Sequence, residues 1–122
     1  MPTDKELGNA LKQAREKYSQ DRRHLFAAKL GEGDWILRDR ENGRVPLRVN
    51  EIVDYAKVLG VSPIVFFAEI LANCDRDYWQ KIADELGCTE PMARQRLAMA
   101  QKAHGLTHGQ VWTMYLQEQI KL

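Results

Sequence analysis

Apolar residues recur three and four apart along almost the whole chain, and no segment alternates with period two long enough to make a strand. Such a chain can bury its apolar stripes only by packing helix on helix. Thr3-Asp4-Lys5-Glu6 opens the first helix as a capping box, ahead of a stripe of Leu7, Ala10, Leu11, Ala14 and Tyr18. Ser19 or Asp21 is the expected cap of a second helix holding Leu25, Phe26 and Leu30. Gly31-Glu32-Gly33 then breaks the chain before a short third helix, about Asp34 to Arg40. Asn42-Gly43 and Pro46 mark a loop, and a fourth helix with Ile52, Val53, Ala56 and Leu59 ends at Gly60. Ser62-Pro63 starts a fifth, apolar on nearly every side. Asn73-Cys74-Asp75 is the expected joint. Three more helices follow, the second opening at Thr89-Glu90-Pro91 and the third at the capping box Thr107-His108-Gly109-Gln110.

With 122 residues the chain can form one compact domain or two very small ones. The polar, acidic start is unlike a signal peptide, and no apolar run approaches a membrane span; the expected location is cytoplasmic. Two cysteines, Cys74 and Cys88, are too few for a disulfide framework or a metal ribbon. Residues 1–60 hold 12 of the 18 Lys and Arg against 10 of the 17 acidic residues, so any footprint for phosphate falls in the first half.

Phe26-Ala27-Ala28-Lys29-Leu30-Gly31 has the spacing of a helix-turn-helix. Ala27 is the small residue where the helices touch, Gly31 turns the chain, and Leu37 fills the inner face of the second helix. Asp34, Trp35, Arg38 and Asp39 then point outward, where a groove would be read.

The ordered set Leu7-Gly8, Leu11 to Lys17, Leu30-Gly31, Arg40-Glu41-Asn42-Gly43-Arg44 with Pro46, and Ala56 to Ser62 resembles the Cro and lambda-repressor-like domains, the xenobiotic-response-element family, over residues 5–71. Glu41 falls ten residues after Gly31, as that family's spacing requires. The resemblance implies a five-helix domain with its third helix in the DNA major groove. By position it implies Gly33, Asp34, Trp35, Arg38 and Asp39 at bases or backbone, and Arg23 and Arg44 at phosphates. Glu32 and Arg40 depart from the family's apolar residues, and residues 19–23 look like a small insertion.

Ala83, Gly87 and Ala93 repeat the spacing, and residues 82–97 resemble the reading module of response regulators and sigma factors. That likeness puts Thr89, Pro91, Arg94, Gln95 and Arg96 outward, on what reads as the more basic of the two second helices. Two such modules in one chain resemble the small regulators of conjugative plasmids. The alternative for this segment is a dimerisation unit.

No nucleophile with a neighbouring base, no glycine-rich phosphate loop and no clustered metal ligands are visible. His104 and His108 are separated by Gly105, which should end their helix. Trp79, Trp112, Tyr78 and Tyr115 read as core or dimer contacts, and no convincing internal repeat is evident. The expectation is an all-α protein: residues 1–72 a five-helix reading domain, residues 73–122 a three-helix segment. It would be a sequence-specific regulator of double-stranded DNA without catalytic residues, metal, cofactor or small-molecule ligand. It would repress its own operon on a plasmid, phage or other mobile element, as a homodimer or as a monomer with two modules. The other reading is a protein–protein module, such as an antitoxin or adaptor.

Overall fold

The computed structural model describes residues 2–122 and is all-α. Eight helices follow one another among the described residues: α1 (Asp4–Tyr18), α2 (Arg23–Leu30), α3 (Asp34–Glu41), α4 (Val49–Leu59), α5 (Pro63–Cys74), α6 (Arg76–Leu86), α7 (Glu90–His104) and α8 (His108–Leu116). No single helix is long and apolar enough to cross a membrane.

The threonine caps form as expected. Glu6 N–H donates to Thr3 Oγ1 at 3.2 Å and Thr3 N–H donates to the Glu6 carboxylate at 3.3 Å. Thr107 and Gln110 repeat this reciprocal pair, and Met92 N–H donates to Thr89 Oγ1. The start of α2 differs. Arg22 occupies the N-cap without a side-chain bond, because Ser19 Oγ accepts from Asp21 N–H and the Asp21 carboxylate is taken by Lys29. Ser62 stands at the N-cap of α5, but its hydroxyl caps nothing; proline at the first turn sets the start instead.

Three corners share one construction. Ala27, Ala56 and Ala83 are buried, and the glycine four residues on from each is left-handed: Gly31 (φ 75°), Gly60 (φ 73°) and Gly87 (φ 67°). The N–H after each glycine donates back to that alanine's carbonyl at 3.0 Å, closing the last turn. Ten residues after each alanine an apolar side chain is fully buried: Leu37, Phe66 and Ala93. The spacing visible in the sequence at Ala27 and Ala83 thus has a third copy at Ala56, which its sequence does not single out because Phe66 sits in a helix that is apolar nearly all round. The corner between α4 and α5 bends the chain by 113°.

The first core cluster joins α1 to α5 through Leu11, Ala14, Phe26, Leu37, Tyr55, Phe66 and Ile70. The second joins α6 to α8 through Trp79, Ile82, Leu97 and Val111, with Ala72 of α5 and the trailing Ile120 and Leu122 against it. Asp75 alone separates α5 from α6, and its carboxylate caps α6. α8 lies along α5. There the buried Glu69 carboxylate accepts from Gly109 N–H and pairs with Lys17 Nζ at 3.1 Å. Tyr18 and Thr107 hydroxyls meet at 2.7 Å beside it.

Candidate nucleic-acid interface

α3 is held from beneath by a buried ionic network. Arg15 of α1 donates to Glu41 through Nε at 2.9 Å and Nη2 at 2.8 Å, and Tyr55 of α4 donates its hydroxyl to the same carboxylate at 2.9 Å. Burial opposes the Arg15 charge, but the Glu41 hydrogen bond and charge outweigh it and raise the Arg15 pKa. Burial and the Glu41 charge push Tyr55 up, so it stays a donor. Next to Glu41, Arg40 is buried, with Nη2 at 2.9 Å from Glu32 and Nε at 2.9 Å from Glu51, and its guanidinium lies 5.6 Å over the Tyr55 ring. Glu32 and Arg40, the two departures from the family pattern, are therefore partners of each other. With Glu41 and Leu37 locked down, α3 has one orientation.

Its outward side holds Gly33, Trp35 and Arg38, all exposed. Asp34 and Asp39 are half-buried and already engaged. Arg23 grips Asp34 in a bidentate pair, Nε to Oδ1 at 2.7 Å and Nη2 to Oδ2 at 3.1 Å. That hydrogen bond holds the Asp34 carboxyl below its usual range and raises Arg23 in turn. The two aspartates, placed by the resemblance at bases or backbone, pair here with Arg23 and Arg44. Arg44 reaches Asp39 at 3.3 Å in an exposed pair, the kind worth only about 0–1 kcal/mol. Arg38, Arg22 and Arg48 are exposed and have no ion-pair partner among the described residues. Arg22 and Arg48 were not singled out from the sequence, although both lie in the arginine-rich stretch.

No family model, curated protein or solved structure matches the chain.

The α6–α7 corner has the same backbone but a different outer face. Arg94 is bound to Glu90 at 3.0 Å and stacks 4.5 Å over the Trp79 ring. Thr89 is spent as the cap, and Arg96 is half-buried. Pro91, Met92, Gln95 and Met99 are exposed there beside Arg94. The expected basic face is reduced, since the arginine nearest its start is turned back onto α6. Tyr78 and Trp79 pack around the buried His108, with the Tyr78 hydroxyl 2.6 Å from Nε2. Trp112 and Tyr115 stack on each other at 5.1 Å. Among the described residues no group of three His, Cys, Asp or Glu side chains is placed to hold a metal.

Proposed function

We propose that the chain is a sequence-specific regulator of double-stranded DNA that represses by occupying its site, with α3 as the reading helix. One observation carries this reading: the α2–α3 corner keeps Trp35 and Arg38 free on a helix whose other side is locked by Leu37, Arg40 and Glu41. A reading helix needs that combination, because base edges are discriminated only by side chains held in fixed positions. The resemblance over residues 5–71 to Cro and lambda-repressor-like domains supports it. Arg22 and Arg48, exposed at the starts of α2 and α4, and Arg44 after α3 suit phosphate contacts, which position a protein without reading sequence. Arg44 can exchange its weak pair with Asp39 for a phosphate oxygen.

The test is a selection from a library of random duplexes with the full chain, followed by fluorescence anisotropy on the enriched duplex and a scrambled one at two salt concentrations. The enriched duplex should bind more tightly than the scrambled one. Its affinity should fall with added salt, with a slope of roughly −0.9 per phosphate contacted. Equal binding to both duplexes, or none at the lower salt, refutes the proposal.

A second reading, a protein–protein module, draws on the α4–α5 surface. Val49 is 76% exposed and Ile64 74% exposed, and with Ile52, Val53, Pro63 and Phe67 they line an apolar groove of about 250 Å³. In the DNA-binding reading the same strip suits a homodimer, which would set two reading helices on half-sites one turn apart. Binding of a protein partner there would persist at high salt.

A further inference from the structure

Trp35 is the one large apolar side chain on the outer face of α3, and it is 62% exposed. A single exposed apolar side chain is ordinary in itself; Trp35 stands out because it shares the outer face of α3 with the unpaired Arg38. A Cβ added at Gly33 would stand 2.9 Å from Trp35 Nε1 and 3.1 Å from its Cδ1, so the ring lies against the bare Cα of Gly33. Gly33 has an ordinary φ of −74°, so its backbone does not require glycine; a side chain there would push the indole out of this position.

Trp35 and Arg38 stand three residues apart and so lie side by side on one helix face. The polar neighbour Asp34 is held in a bidentate pair by Arg23 and does not compete for bases. The only apolar group on base edges in the major groove is the thymine methyl, and the group that best matches a guanidinium is guanine, through O6 and N7. Three helical residues rise roughly 4.5 Å, between one and two base-pair steps of about 3.4 Å.

We infer that Trp35, seated by Gly33, is a specificity-determining residue that packs on a thymine methyl within two base pairs of a guanine read by Arg38. This rests on the DNA-reading role proposed for α3 and names what that helix reads.

The probe is the duplex enriched from the random library, with each thymine replaced in turn by deoxyuridine, which removes only the methyl. One position should weaken binding about fourfold, the worth of one buried methyl group. Trp35→Ala and Gly33→Ala should bind the thymine and deoxyuridine duplexes equally. Because Trp35 is exposed, both variants should keep the parent's melting temperature to within a few degrees. A 7-deazaguanine near that thymine should weaken the parent protein but not Arg38→Ala. The inference is overturned if no deoxyuridine substitution matters, or if one matters equally to the parent and to Trp35→Ala, while the enriched duplex is still preferred over the scrambled one. Failure to enrich any duplex overturns the DNA-reading role itself, and the inference with it.

Discussion

Replacing Glu41 by alanine should be among the most damaging single changes in the first cluster. Its side chain is 2% exposed and accepts three hydrogen bonds, two from Arg15 and one from Tyr55. Without it the Arg15 guanidinium, also buried, faces Phe26 at 5.6 Å with no anion, and the Tyr55 hydroxyl loses its acceptor. Stranding one member of a buried pair costs about 3–5 kcal/mol. A domain of this size holds about 5–15 kcal/mol in total, so Glu41→Ala should lower the melting temperature by roughly 10–20 °C. The pair itself need not be strongly stabilising, because both charges had to leave water. Arg15→Met combined with Glu41→Leu should therefore recover most of the loss. Urea unfolding followed by far-UV circular dichroism measures all three proteins. A cost below about 1 kcal/mol for Glu41→Ala would refute the argument. So would a double variant no more stable than Glu41→Ala.

Three further outcomes follow from described contacts. Burial, helped by the Lys17 and Arg94 charges, pushes His108 down to about 4. The unfolded chain binds that proton near pH 6.5, so stability is full above about 6.5 and falls by up to roughly 3 kcal/mol as pH drops toward 4. Urea melts at about pH 7 and pH 5 should show this difference, and His108→Gln should shrink it. Gly31→Ala and Gly43→Ala share a positive φ, but a Cβ at Gly31 meets nothing while one at Gly43 falls 2.6 Å from the Lys5 nitrogen. The first should cost about 1–2 kcal/mol and the second at least 2 kcal/mol more, to about the scale of core overpacking; equal melting temperatures would contradict this. Arg94→Ala should cost about 0.5–1 kcal/mol of stability through its lost stacking on Trp79, and should leave affinity for the enriched duplex within about twofold. A tenfold loss in a protein of unchanged stability would instead place α7 on the DNA.

What the sequence made legible was local. Thr3 with Glu6, Thr107 with Gln110, and the glycines four residues after Ala27 and Ala83 act within one turn, so their spacing is their structure. Leu37 and Ala93 were legible for the same reason. Partners joined across the fold were not. Nothing near Arg15 announces Glu41, 26 residues on, and nothing marks Arg40 as buried rather than facing solvent. Arg23 and Asp34 looked like separate DNA contacts until the turn brought them together. Ser19 and Asp21 looked like caps, but Asp21 is drawn off by Lys29. Glu69 could have been noticed, as the lone charge in an otherwise uncharged helix that demands a partner. Which partners it has depends on how α8 folds back, and no local spacing carries that.

The seating of α8 on α5 makes cutting and shortening opposite operations on this molecule. A nick beside Asp75 would break the covalent link between α5 and α6 but leave the pieces clasped: Gly109 and Lys17 on Glu69, and Thr107 against Tyr18. Removing α6 to α8 altogether would strip Glu69 of its backbone donor and expose Val65 and Ala68, which are buried in the intact chain. α3 packs on α1 and α2 and makes no close contact with α5 or α8. Its support nevertheless runs from α1 through α5 to the last helix, each packed on the next.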